Sequence, residues 1–180
     1  RHSDELVHMV NSLLDISRIE SGKVIMKTEL LDLTNIAGKV EDLLSGQLKE
    51  RELFLITEVA QDAHLVLADR NQIERVFINI IGNAMKFTPA QGKITIRAKK
   101  TEKMIEVEVA DTGCGIPVEA QGKLFEEFYR VDNEINQGVK GTGLGLALVK
   151  HIVEAHGGKI WFKSVVNSGT SFIFTLPAGA

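Results

Sequence analysis

The sequence predicts an α+β fold, a two-layer α/β sandwich preceded by one separate helix of the coiled-coil or bundle kind. Three observations carry that reading. The first twenty or so residues hold an apolar stripe at three-four spacing that a glycine ends. Strands and helices after it are grouped and do not alternate as a regular βαβ series. Two adjacent stretches alternate apolar with polar side chains, the mark of a sheet with one face buried.

The elements follow in order. From Asp4 to about Ser21, Leu6, Met9, Leu13 and Ile16 form the stripe, widened by Val10 and Leu14; a single short helix of this kind needs a partner. Ser21-Gly22 ends it, which places a domain boundary at Gly22 and divides the chain into 1–22 and 23–180. Val24 to Leu31 reads as a short strand and Asn35 to Glu50 as a helix, weakened by Gly38 and Gly46. Leu53 to Val59 and Leu65 to Leu67 read as strands. Asp69 to Lys86 is the strongest helix, with Asp69 as its N-cap. Ile94, Ile96 and Ala98, then Ile105, Val107 and Val109, mark the two alternating strands. A loop-rich stretch runs from Asp111 to about Gly143, followed by a helix (Leu144 to Ala155) and two closing strands (Lys159 to Val165, Thr170 to Leu176).

The 180 residues suffice for one full hydrophobic core, and 44 % apolar with 25 % charged residues is ordinary for a soluble globular protein. A net charge of −3 argues against a nucleic-acid-binding surface. The single cysteine, Cys114, has no internal disulfide partner, which fits a reducing, cytoplasmic setting. No apolar run approaches the roughly 20 residues needed to span a bilayer, and no signal peptide is visible. The chain starts without methionine inside a helical pattern, so it reads as a fragment of a parent whose membrane status is open.

Chemistry concentrates in three places. In the strongest helix, Ile73, Val76, Phe77, Ile80, Ile81 and Ala84 form one apolar face, while Asn79, Asn83 and Lys86 stack on an adjacent one. Asparagine is a poor interior helix residue, because its side chain competes for backbone hydrogen bonds. Two aligned amide oxygens are hard ligands suited to Mg²⁺ shared with phosphates, and a lysine one turn on offsets phosphate charge. Taken alone, a solvated face is an equally good account.

Asp111-Thr112-Gly113-Cys114-Gly115-Ile116-Pro117 follows directly on a strand, setting a carboxylate acceptor beside backbone that a flat group can approach. By itself it is better read as an Asp-Gly turn. Gly141-Thr142-Gly143-Leu144-Gly145-Leu146 opens a helix, where free N–H groups and the positive dipole end favour phosphate. It is neither a Walker A loop nor a G-x-G-x-x-G fingerprint. Between them, Phe125 and Phe128 anchor a stretch whose Gly138, Gly141 and Gly143 suit a mobile lid.

Taken in order, these segments resemble the ATP-binding (Bergerat-type) fold shared by histidine kinases, the gyrase B ATPase domain, Hsp90 and the MutL family. Asn79 to Thr88 is similar to the N box, Asp111 to Gly115 to the G1 box, Phe125 to Phe128 to the F box, and Gly141 to Gly145 to the G2 box; Ser168-Gly169-Thr170 matches the family's final glycine motif. Two features select sensor histidine kinases. Asn11 to Lys23 is similar to the end of their second dimerisation helix, and Asn79 stands where hydrolysing relatives keep a water-activating glutamate.

The resemblance implies a mixed sheet with helices on one face, and a protein-histidine kinase domain that binds ATP and Mg²⁺. It implies that Asp111 meets the adenine amino group with Thr170 nearby, that Asn79 and Asn83 hold Mg²⁺, and that Lys86 contacts phosphate. Asn79, Asn83 and Lys86 are thus the expected catalytic set. Phe87 is the expected aromatic beside the nucleotide. Gly141, Gly143 and Gly145 line the phosphates and Lys140 reaches them, with Gly113, Gly115, Ile116, Phe125, Thr142, Leu144 and Leu146 completing the contacts. The implied partners are the histidine-bearing dimerisation domain of the same parent, as a homodimer, and a response-regulator receiver domain. The family's phosphoacceptor motif has no match here: His2 and His8 read as surface or bundle residues, and His64, His151 and His156 belong to no motif. Autophosphorylation by this fragment is therefore not expected. Two other readings stay open, a nucleotide-sensing interaction module without kinase activity and a hydrolysing ATPase.

Overall fold

The computed structural model describes residues 2–131 and 141–179. The chain begins with α1 (His2–Glu20), which ends as its sequence dictates. Gly22 takes the left-handed conformation at φ +66°, its N–H reaches the Ile19 carbonyl, and the Lys23 N–H reaches back to the Arg18 carbonyl at 3.0 Å. The expected single stripe is divided in two. Ile16 is buried, with Met9, Leu13 and Ile19 packed beside it, whereas Leu6, Val10 and Leu14 stay exposed together with Val7. One helix face docks on the helix Gly145–Ala155, and a helix turned that way leaves the other half of a wide stripe in solvent.

β1 (Thr28–Asp32) pairs antiparallel with β3 (Leu65–Asp69), from Thr28 opposite Asp69 to Asp32 opposite Leu65. It starts later than the alternation from Val24 suggests, because its partner strand gives way to a helix at Asp69. The Lys27 N–H instead donates to Asp69 Oδ2 at 2.9 Å. α2 (Leu33–Glu50) starts two residues early, since the Asp32 carboxylate accepts the Thr34 N–H at 2.8 Å. Its two glycines are carried by a buried face of Leu33, Ile36, Ala37, Val40, Leu44 and Leu48, so packing outweighs propensity.

The main sheet is mixed, in the order β2-β4-β5-β7-β6. β2 (Phe54–Val59) runs parallel to β4 (Lys93–Thr101); β5 (Met104–Asp111), β7 (Gly169–Pro177) and β6 (Ile160–Val165) continue antiparallel. α3 (Arg70–Phe87) and α5 (Gly145–Ala155) cover one face, with α4 (Val118–Gln121) a short turn of helix inside the expected loop. Phe77 of α3 meets Phe174 of β7 edge-on, ring centroids 5.8 Å apart, at the centre of the core. The opposite face carries exposed charge pairs, Arg97 with Glu58 and Glu108 and Lys99 with Glu106, whose worth in water is small.

Two ties set the helices that frame the site. Asp69 caps α3 through the Gln72 N–H at 3.2 Å. The Asp69 N–H donates to Nε2 of the buried His156, whose Nδ1 therefore carries the proton donated to the Ile152 carbonyl at 2.7 Å. The start of α3 is thereby fixed to the end of α5.

Candidate functional site

β5 ends at Asp111, opposite Thr170 in the ladder with β7. Asp111 Oδ1 accepts the Gly113 N–H at 2.8 Å and the Thr170 N–H at 3.2 Å. Oδ2 accepts no hydrogen bond from any described residue, and the carboxyl lines a cavity of about 540 Å³. Burial raises its pKa above the usual carboxylate value, opposed by those two backbone N–H groups. The Thr170 hydroxyl lies 2.8 Å from Ser164 Oγ, which accepts the Ile116 N–H at 2.8 Å. Ser164 is absent from the expected set, yet it ties Thr170 to the Gly115-Ile116 turn; a lone serine in a strand carries no motif that reveals this.

The amide face of α3 forms another wall of the same cavity, with Asn79, Asn83, Lys86 and Phe87. Asn79 Nδ2 donates to the Arg75 carbonyl one turn back at 2.8 Å, so Oδ1 keeps both lone pairs. That oxygen faces Gly145, where any Cβ would come within 2.8 Å of it. The Asn83 side chain hydrogen-bonds to no described residue. A pair of free amide oxygens on one helix face suits a hard cation that also takes phosphate oxygens, so the donor set fits Mg²⁺. Lys86 extends towards Gly141, its Nζ 3.6 Å from where a Cβ there would stand. Partial desolvation of the ammonium against the cavity wall first, then repulsion from Arg130 and Arg51, lowers its pKa, although the side chain as a whole is exposed.

The third wall is the start of α5. Leu144 precedes it with no side-chain cap, and the first intrahelical bond is Leu148 N–H to the Leu144 carbonyl at 2.9 Å. The N–H groups of the first turn are therefore open to an anion. Gly143 stands at φ +73° and accepts the Phe128 N–H at 3.0 Å; the Phe128 backbone packs too closely for any side chain there.

Gly115, Ile116, Gly141, Thr142, Gly145, Leu146 and Thr170 all reach the cavity, as does Gly143. Three expected residues do not. Gly113 acts on it through Asp111, and Leu144 is fully buried beneath it. Phe125 packs into an aromatic cluster with Phe162 and Phe172, at centroid distances of 5.9 and 6.3 Å. Lys140 lies outside the described residues. Sequence reasoning passed over Cys114, Tyr129, Arg130 and Val131, and above all Glu5, His8 and Met9 of α1, which line the cavity only because α1 folds back on α5. Burial raises the Cys114 thiol pKa, so it is a poor nucleophile.

A strand-end carboxylate, an amide-bearing helix and an uncapped glycine-rich helix start thus meet around one cavity. A family model described as histidine kinase-, DNA gyrase B- and HSP90-like ATPase matches residues 68–180. The chain belongs to this ATPase family. The match covers α3, the whole main sheet except β2, and α5, which together carry the cavity.

Among relatives, the circadian input-output histidine kinase CikA of Synechococcus elongatus is 35 % identical over 176 residues, 97 % of this chain and 23 % of the relative. Two solved structures match nearly all of the chain. Full-length ShkA in complex with AMPPNP superposes at a TM-score of 0.86 with 29 % identity, covering 98 % of this chain and 37 % of ShkA. Histidine kinase ThkA in complex with the response regulator TrrA gives a TM-score of 0.77 with 27 % identity, covering 98 % of this chain and 48 % of ThkA. The chain thus spans less than half of each of these proteins. Among the described residues no helix is long and apolar enough to cross a membrane.

Proposed function

We propose that this chain is the nucleotide-binding kinase unit of a sensor histidine kinase, joined at residues 1–22 to the end of a dimerisation helix. In this reading it binds ATP with Mg²⁺ and passes the γ-phosphoryl group to a histidine that the rest of the parent supplies. The observation that carries the reading is the cavity with a base-recognising end and a phosphate end. Asp111, half-buried and held by Gly113 and Thr170, stands at one end; Asn79, Asn83, Lys86 and the open first turn of α5 stand at the other.

The residues act by positioning and by charge. Asp111 Oδ2 accepts from an exocyclic amine, which favours adenine over a base presenting an acceptor there. The first-turn N–H groups of α5 and the Lys86 ammonium hold phosphate oxygens where charge builds up during transfer. Asn79 and Asn83 offer amide oxygens to Mg²⁺, which when bound neutralises phosphate charge. On α3 the cavity wall carries amides and a lysine but no carboxylate base, which favours transfer over hydrolysis. A cytoplasmic location, a homodimeric parent and a response-regulator receiver domain as the next acceptor complete the reading. The CikA match supports the histidine-kinase part of this reading, and the ThkA match, a kinase in complex with a response regulator, supports the receiver-domain acceptor.

The test is calorimetric titration with a non-hydrolysable ATP analogue, with and without Mg²⁺, on the wild type and Asp111→Asn. It is followed by transfer from labelled ATP to an added acceptor helix pair. Mg²⁺-responsive binding that needs Asp111, together with label on the acceptor, is the expected result. Binding without transfer would leave a nucleotide-sensing module, and steady phosphate release would revive the hydrolysing reading.

A further inference from the structure

Away from the nucleotide cavity, three elements bring metal-ligating side chains to one point. Glu20 at the end of α1, Glu127 in the segment after α4, and His151 on the middle turns of α5 place one ligand atom each within 4.8 Å of one another. His151 Nε2 and Glu20 Oε1 are 3.4 Å apart. That spacing is long for a charge-assisted hydrogen bond, which closes to about 2.7–2.9 Å. It equals the separation of two ligands on one tetrahedral Zn²⁺, about 3.4 Å for bonds of about 2.0–2.1 Å. Glu127 forms no hydrogen bond or ion pair with any described residue, although a carboxylate oxygen of it lies within 4.8 Å of one of Glu20. Two carboxylates drawn together beside a single imidazole carry more negative charge than that one ring can offset, and a divalent cation supplies the rest.

We propose that Glu20, Glu127 and His151 form a site for a first-row divalent cation of the Zn²⁺ class that clamps α1 to the catalytic body. One imidazole and two carboxylates are the mixed nitrogen and oxygen donors such ions prefer over Mg²⁺. Three protein ligands leave a coordination position to water, which an exposed site provides. The remaining closure falls on Glu20 and Glu127, both exposed and free to rotate, while His151 is held on α5 with its side chain only 24 % exposed. The clamp joins the upstream helix to α5 and to the segment whose Phe128 N–H is bonded to Gly143. A bound ion therefore holds the α1-docked arrangement, in which Glu5 and His8 line the nucleotide cavity.

The experiment titrates Zn²⁺ into the chelator-stripped, nucleotide-free chain by calorimetry and compares wild type with His151→Ala, Glu127→Gln and Cys114→Ser. Amide hydrogen exchange of α1 is followed with and without Zn²⁺. One equivalent is expected to bind wild type and Cys114→Ser alike, to bind both site variants at least tenfold more weakly, and to slow exchange along α1. Glu127→Gln sits on an exposed segment and leaves the fold intact, so the test does not depend on His151→Ala alone. No binding to wild type, binding to both site variants as tight as to wild type, or loss only in Cys114→Ser would each overturn the proposal.

Discussion

Thr170 donates its backbone N–H to Asp111 Oδ1 across 3.2 Å, so the carboxylate of one strand is oriented by the backbone of the next. Gly113 donates to the same oxygen, which turns Oδ2 into the only uncommitted acceptor of the group. The arrangement is costly when charged: burial raises the pKa, so this group's contribution to stability is greatest at low pH and is lost as pH rises through its folded value. Asp111→Asn keeps an oxygen for both N–H groups and presents a donor where Oδ2 stood. At neutral pH the variant is expected to melt no lower than wild type yet to bind an ATP analogue at least tenfold more weakly. A parallel loss of melting temperature and affinity would show that Asp111 is structural.

Gly145 stands where a Cβ would come within 2.8 Å of Asn79 Oδ1. Gly145→Ala therefore pushes the Asn79 amide off its position or shifts the first turn of α5. The expected result is a chain of near-normal stability whose nucleotide affinity no longer responds to Mg²⁺. A retained Mg²⁺ response, measured by titration at several metal concentrations, would remove Asn79 from the metal set.

Lys86 has its pKa lowered by partial desolvation and by Arg130 and Arg51, so it loses its proton at a lower pH than a free lysine. Affinity for the triphosphate analogue is expected to fall on raising pH from about 7 to 10, with the decline starting below the ordinary lysine value of about 10.4. Adenosine affinity stays flat over that range. Lys86→Arg, whose guanidinium stays charged throughout, abolishes the decline. An identical pH profile for adenosine and triphosphate would place Lys86 away from phosphate.

The docking of α1 rests on Ile16 and on the pair formed by Asp15 Oδ2 and Arg75 Nη2 at 2.5 Å. Ile16→Ala is expected to cost about 2–4 kcal/mol of that docking, as for other buried aliphatic truncations. The half-exposed pair contributes less than about 1 kcal/mol, so Asp15→Asn has the smaller effect. Hydrogen exchange of α1 amides separates the two: Ile16→Ala frees the helix while the amides of the sheet stay protected. Equal effects of the two variants would contradict this ranking.

Much of the site was legible in one dimension because its parts are local. Asn79, Asn83 and Lys86 share a helix face by the helical period alone, and the α5 start announces itself through its glycines. Element boundaries were legible where a cap sits in the chain, as at Asp69 and Gly22, and slipped where the deciding group is distant. β1 is short because β3 ends, and α2 tolerates Gly38 and Gly46 because its other face is buried. The roles of Phe125 and Leu144 could not be separated from those of their cavity-lining neighbours, since a segment's motif does not say which of its side chains turns inward.

By itself the sequence determined the α+β class, the order of the main strands and helices, and the three segments that meet at the cavity: the amide-bearing helix, the strand-end carboxylate and the glycine-rich helix start. Each of these depends on residue spacing of 2.0 or 3.6 or on a residue's own backbone freedom. Only the tertiary structure decided that the wide stripe of α1 divides between core and solvent, that Glu5 and His8 reach the cavity, and that Ser164 supports Thr170. These are contacts between residues far apart along the chain, and their partners are chosen by how preformed faces pack, which no local pattern encodes.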